Sequence, residues 1–272
     1  MRRAAAVVTA LLTLLTTVVA CGTDGDESVL DKDGLVIAVR ADLPSIGFRK
    51  PDGTFEGYDV DVADYIARKL GKTYAFLPVL AGEREQVLVS KRADLVLATY
   101  TISQDRKQAV LFAGPYHLSY QDILIRPGDA AEIRNVRDLK GRRICEVRGA
   151  NAAQRVVEER KVAARRVMFD DYAACLAALK NDQVDAVTTN DIILAGLAER
   201  DGTGLRLVNA QFNEQRTGVG MQRGDVAGCE AVNRAITAMY QDGTAAELLD
   251  KWFGRSGLKL ETIAVPQFEG CS

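Results

Sequence analysis

The residue types in this chain favour binding chemistry over covalent chemistry. His117 is the one histidine, which excludes a multi-histidine metal centre, and neither an HExxH nor a paired CxxC occurs. The carboxylates are scattered and form no persuasive acid–base pair. Arg106 is the side chain with the clearest chemical potential. A guanidinium gives a planar carboxylate two parallel charge-assisted bonds, although on its own Arg106 reads more readily as an exposed helix arginine. Gly149-Ala150-Asn151 precedes a second helical stretch, where backbone N–H groups and the helix dipole suit an anion. Asp42, Tyr100, Arg40 and Arg148 are candidates for lining the side-chain end of a pocket. Arg84, in a charged helical stretch, reads as surface, His117 as a hydrogen-bonded structural residue, and Trp252 as core.

These residues have to be positioned by regular elements, and the hydrophobic pattern supplies them. Gly34 to Val39 is an apolar run that reads as a buried strand. Asp59 is a suitable N-cap for a helix to Leu70, with Val62, Ala63, Ile66, Ala67 and Leu70 on one stripe and Gly71 to close it. Strands are expected over 74–79, 94–98, 120–125, 143–147, 167–169 and 186–188. Helices are expected over 83–91, 152–161, 172–180, 228–240 and 245–253, with Ser103 capping a short one through Ala109. Strands alternating with helices predict an α/β protein with largely parallel sheets. There is no low-complexity stretch and no short-period repeat.

The 272 residues suffice for two lobes, and 47% hydrophobic with 26% charged residues is globular composition. With 35 Lys+Arg against 37 Asp+Glu the net charge is −2, which lacks the basic excess of a nucleic-acid binder. The N-terminus has its own logic. Met1-Arg2-Arg3 is followed by an uncharged apolar run from Ala4 to Ala20, the layout of a secretory signal and short of the roughly 20 apolar residues of a membrane span. The run ends Val18-Val19-Ala20-Cys21, which resembles a bacterial lipobox with Val18 in place of the usual leucine. On this reading residues 1–20 are a signal peptide, Cys21 carries a lipid, and polar residues 21–32 form a tether. Loss of Arg2 and Arg3 lowers the 35 basic residues to 33 and brings the charge to −4. Acylation of Cys21 leaves Cys145, Cys175, Cys229 and Cys271, an even number in an oxidising compartment. Four cysteines allow three pairings, with buried free thiols as the alternative.

From Gly57-Tyr58-Asp59-Val60-Asp61-Val62 onward the sequence resembles the bacterial family 3 solute-binding proteins, the extracytoplasmic receptors of polar amino-acid ABC transporters. The resemblance continues through Ala98-Thr99-Tyr100-Thr101-Ile102-Ser103-Gln104-Asp105-Arg106-Lys107 and Phe112-Ala113-Gly114-Pro115-Tyr116. It reappears at Asp138-Leu139-Lys140-Gly141, Val184-Asp185-Ala186-Val187, Ile193-Leu194-Ala195-Gly196 and Lys251-Trp252-Phe253-Gly254. The Ala-Thr-Tyr-Thr-Ile form, the Asp42-Leu43-Pro44 loop and the arrangement of Cys145 and Cys175 look most like glutamate-binding members. The resemblance implies a periplasmic-binding-protein type II fold: two α/β lobes joined by two crossovers, with lobe 1 formed by residues 33–118 plus 217–272 and lobe 2 by 119–216. That division favours Cys145–Cys175 and Cys229–Cys271, each within one lobe.

The family pattern also assigns roles. Arg106 matches the arginine that takes the ligand carboxylate, helped by backbone groups at Thr99 and Thr101, with Gly149 and Asn151 on the opposing lobe. Asn190 stands where an aspartate usually holds the ligand ammonium, and it carries no charge. Loss of a charge-assisted bond of roughly 1.5–3 kcal/mol weakens amino-acid binding by about one to two powers of ten. Ala150 and Asn151 replace small hydroxyl residues, and Leu80-Ala81 a more polar pair. The expected function is a monomeric, lipid-anchored receptor on the outer face of the cytoplasmic membrane. It would close on glutamate or a related polar solute and deliver it to an ABC permease, with no cofactor, metal or nucleic acid involved. The alternatives are a ligand sensor feeding a signalling partner and, further off, an exported dehydratase on the same fold.

Overall fold

The computed structural model describes residues 27–258 and 264–271. The signal, the lipobox and the first half of the tether expected from the sequence, residues 1–26, lie outside the described residues.

The first part of the chain forms β1 (Gly34–Arg40), a small meander of β2 (Asp42–Leu43), β3 (Gly47–Arg49) and β4 (Phe55–Glu56), then α1 (Tyr58–Lys69), β5 (Thr73–Val79), α2 (Arg84–Val89), β6 (Leu95–Leu97) and α3 (Gln104–Lys107). The long strand β7 (Leu111–Ile125) leads into β8 (Arg143–Val147), α4 (Ala152–Glu158), β9 (Arg165–Phe169), α5 (Tyr172–Lys180), β10 (Ala186–Asn190), α6 (Asp191–Asp201) and β11 (Arg206–Leu207). Strand β12 (Phe212–Met221) returns the chain to the first part, which α7 (Val226–Gln241) and α8 (Thr244–Phe253) complete.

The strand order β5-β1-β6-β12-β7-β10-β8-β9 explains the shape. The three strands at each end are parallel, β5-β1-β6 and β10-β8-β9. Between them β7 and β12 run antiparallel and pair over nearly their whole lengths, Gln215 opposite Ser119 and Thr217 opposite His117. The result is two parallel α/β lobes joined by two crossover strands. In parallel sheets ligands gather beyond the carboxyl ends of the strands. Here those ends are Arg40 at the end of β1, the loop 98–102 after β6, the loop 148–151 after β8, and Thr189-Asn190 at the end of β10.

Burial follows the sequence pattern. In β1, Ile37, Ala38 and Val39 are fully buried because helices cover the parallel sheet. Helix α1 buries its predicted stripe, but its N-cap is Gly57, not Asp59. Gly57 has φ +132, and a Cβ there would lie 2.2 Å from the Ile46 carbonyl oxygen, so only glycine fits. Each lobe carries a covalent staple. Cys145 on β8 joins Cys175 on α5, and Cys229 on α7 joins Cys271 near the C-terminus, both with Cα–Cα 5.8 Å. Closing loops of 30 and 42 residues restrains the unfolded chain by about 3–4 kcal/mol per bond. No described helix is long and apolar enough to cross a membrane.

Several elements depart from the sequence reading. The strand expected over 120–125 begins at Leu111, α6 was not expected as a helix from its pattern, and β12 and the short strands β2, β3, β4 and β11 were not among the expected strands.

Candidate functional site

The site is built outward from Asp59. This carboxylate lies in the first turn of α1 and is fully buried. Its Oδ2 accepts the Thr99 N–H at 2.7 Å and its Oδ1 accepts the Tyr116 hydroxyl at 2.6 Å. Burial pushes its pKa up to about 6, against the pull of those two donors and of the Arg40 and Arg84 charges. The bond to Thr99 matters because Thr99 sits at φ +44, a left-handed conformation uncommon for a threonine. Asp59 thereby fixes the turn after β6, and Thr101 continues it into a bridge with Thr217 on β12.

Three arginines converge on this turn. Ser103 caps α3 by accepting the Arg106 N–H, as its spacing predicted. Arg106 then reaches back, Nη1 donating to Thr101 O at 2.7 Å and Nη2 crossing to Gly149 O at 2.9 Å. Its Nε lies 3.5 Å from Glu85. Burial lowers its pKa, and Glu85 opposes that shift. Arg84, expected at the surface, is buried instead. Its Nε donates to Ala81 O, Nη1 to Ala98 O and Thr99 O, and Nη2 to Gly149 O at 2.9 Å. Burial, then the Arg106 and Arg40 charges, push its pKa down to about 9, which leaves it cationic at neutral pH. Arg40 is also buried and holds Asp42 side-on, Nε to Oδ1 at 2.8 Å and Nη2 to Oδ2 at 2.6 Å.

The pocket between the lobes is lined by Arg40, Arg84, Thr99, Thr101 and Arg106 from the first, Asn151, Tyr172, Thr189 and Ile193 from the second, and Gln215 from β12. Its free volume is about 20 Å³, roughly what one water occupies. Opposite Arg106, the Tyr172 hydroxyl donates to Thr189 Oγ1 at 2.6 Å. Thr101 Oγ1 donates to Gln215 Oε1 at 3.1 Å.

Among the residues expected to bind, Arg106, Thr99, Thr101 and Asn151 meet on this wall, and Gly149 faces it through its carbonyl. The loop 149–151 therefore offers an acceptor where the sequence suggested donors. Its Ala150 N–H is tied back to Val147 O, and α4 beyond it has seven residues. Asn190 does not line the pocket. Its Oδ1 accepts the Ser119 hydroxyl at 2.5 Å, and its neighbour Thr189 takes the wall position. Asp42 is withdrawn behind Arg40, and Tyr100 is a floor beneath the arginines, with the Arg84 and Arg106 guanidinium carbons 4.7 and 5.1 Å from its ring centre. Arg148 pairs with Asp170 at the surface. Sequence reasoning missed Gln215, Tyr172 and the burial of Arg84. No group of three or more His, Cys, Asp or Glu among the described residues is placed to hold a metal.

Two α/β lobes on paired crossover strands, with buried polar side chains facing each other across the junction, define the class of bilobal solute receptors. The sequence profile of the bacterial extracellular solute-binding proteins, family 3, matches residues 35–255, and the chain belongs to that family. It is 30% identical to the glutamate-binding protein GluB of Corynebacterium glutamicum over 262 residues, 90% of this chain and 88% of that one. It is also 30% identical to the glutamine-binding protein GlnH of the Bacillus subtilis ABC transporter, over 83% of each. Among solved structures, an ancestral arginine-binding protein bound to arginine superposes with a TM-score of 0.75 at 29% identity, covering 82% of this chain and 99% of that one. An ancestral amino-acid-binding protein, precursor of cyclohexadienyl dehydratase, gives 0.75 at 25% identity, covering 84% and 100%.

Proposed function

We propose that this chain is an exported receptor, anchored through acylated Cys21, that closes lobes 33–118 plus 217–272 and 119–216 on glutamate or a related polar amino acid and passes it to an ABC permease. The observation that carries this reading is Arg106, held over Tyr100 and pointing between the lobes to Gly149 O. A ligand carboxylate in place of that carbonyl receives the same guanidinium edge with full charge assistance. Backbone groups at Thr99 and Thr101, whose turn Asp59 fixes, flank it. Glutamate- and glutamine-binding relatives support the choice of ligand. Closure works because the ligand touches both lobes only in the closed form, and it shifts the balance by that difference alone.

The receptor catalyses no reaction in this reading. The two carboxyls that burial pushes up to about 6, Asp59 and Asp191, are occupied structurally: Asp191 accepts from Gln211 Nε2 and from the N–H groups of Tyr120 and Ile192. Neither is placed as an acid over the pocket. A thermal-shift screen of the protein against amino acids, dicarboxylates and small amines tests the proposal. An acidic amino acid that binds the folded state alone is expected to raise the melting temperature, by an amount that grows with the logarithm of its concentration over Kd. A panel in which none of these solutes moves it contradicts the proposal.

A further inference from the structure

Helix α6 meets the first lobe along one of its faces. Ile193, Gly196 and Arg200 stand at i, i+3 and i+7, so they share a side of the helix. Ile193 lines the pocket between the lobes. Gly196 comes up against the β2–β3 loop, with no room for a side chain before Pro44 O. Arg200 lies one turn further out, its guanidinium carbon 3.8 Å from the centre of the Phe48 ring on β3. Among the described residues Arg200 has no ion pair or hydrogen bond to draw it elsewhere. Pro44, Phe48, Gly196 and Arg200 are all off the pocket wall. Pro44, Gly196 and Arg200 border a separate cavity of about 300 Å³ across the same junction, with Trp252 of α8.

A guanidinium over an aromatic face is attracted by the ring quadrupole, and 3.8 Å is well inside the reach of that attraction. Phe48 precedes the crossover strands and Arg200 lies between them, so the contact spans the two lobes. It is made as the lobes come together. Such a contact favours the closed form without touching the ligand. It shifts the open–closed balance by its own energy and moves the affinity for every solute by the same factor. Ile193 and Arg200 ride on one helix, so the wall of the pocket and the contact with Phe48 are completed in a single movement.

We infer that Arg200 and Phe48 form a latch that sets the receptor's affinity and release rate from outside the pocket, equally for every solute it closes on. This rests on the solute-receptor reading above and adds a positioning pair to it.

Trp252 is the one tryptophan of the chain and shares the outer cavity with Arg200, so its fluorescence reports on the junction. Stopped-flow release of L-glutamate and L-glutamine from the mature chain, followed by that fluorescence, tests the latch, with calorimetry giving the affinities. Arg200 is exposed, so Arg200→Ala leaves the core untouched. The variant is expected to release both solutes about two- to fivefold faster and to lose affinity for both by the same factor. Phe48→Leu should match it, while Phe48→Tyr, which keeps the ring face, should behave as the parent. Combining Arg200→Ala with Phe48→Leu should add no further loss. Release at the parent rate in Arg200→Ala, losses that multiply in the double variant, or a loss confined to one solute overturns the inference and leaves the receptor reading standing. If neither solute binds the parent, the receptor reading fails for these ligands and the inference falls with it.

Discussion

His117 packs edge-on to Tyr58, ring centres 5.3 Å apart, and burial pushes its pKa down from 6.5 to about 4. The unfolded chain takes up this proton near pH 6.5 while the native state stays neutral to about pH 4. The residue therefore costs no stability above 6.5, and its contribution is lost progressively as pH falls to about 4, on the order of 3 kcal/mol in total. Asp59 and Asp191 act with the opposite sign. Their native pKa values lie above the unfolded ones, so stability falls as pH rises from about 4 to about 6. Since the chain has one histidine, proton NMR of its imidazole isolates the first effect. Its C–H resonances are expected to hold steady from pH 8 to 5 and to titrate near 4; a midpoint near 6.5 means the ring is open to water. Arg84 shows what residue type alone hides. Glu83 and Glu85 flank it and make it look solvated, whereas its partners are four backbone carbonyls, three of them on other turns of the chain. Carbonyls carry no sequence signal, so its burial was not legible. Arg106 was, because Ser103 and the surrounding motif marked its helix.

Among the elements, β1, β8 and α5 were readable to within a residue or so, since each has a buried apolar face and a clear stop. Strand β7 was half missed, since only 120–125 was expected as strand; in the fold Gly114-Pro115 lies inside the strand, where Gly114 N–H donates to Asn233 Oδ1. Helix α6 was missed for another reason. Every residue from Asp191 to Leu197 is buried, so the helical period of polar against apolar is absent. The turn 98–102 is the element on which the site depends most, and Asp59 is its anchor. Asp59→Ala leaves the Thr99 N–H and the Tyr116 hydroxyl buried without partners, at a cost of about 2–5 kcal/mol. Chemical denaturation should show that loss together with weaker ligand binding. A variant as stable as the parent would remove Asp59 from its anchoring role.

At the scale of the whole molecule, two glycine contacts set how closely the lobes approach. Gly149, at φ +76, faces Gly82, where a Cβ would lie 2.4 Å from the Gly82 Cα. Gly196 on α6 faces the β2–β3 loop, where a Cβ would lie 2.4 Å from Pro44 O. Both obstacles are backbone, which gives way less readily than a side chain. Gly196→Ala, remote from the arginines, should hold the lobes apart and weaken ligand binding about tenfold, with a larger radius of gyration by small-angle scattering in saturating ligand. Unchanged affinity and radius would mean that closure does not use this contact. The two-lobed plan itself was legible, because strand–helix alternation and the ordered motifs run along nearly the whole described chain. The pocket's charge was not, since it depends on which carboxylates turn away: Asp42 toward Arg40, Asp191 toward Gln211.

In the proposed receptor Arg106 is the group that grips the ligand acid. Calorimetry comparing the parent with Arg106→Ala, each first shown folded by its melting transition, measures this. The predicted result is a loss of affinity of at least about a hundredfold for the best-binding acidic solute. Binding within a few-fold of the parent would mean that Arg106 does not hold the ligand.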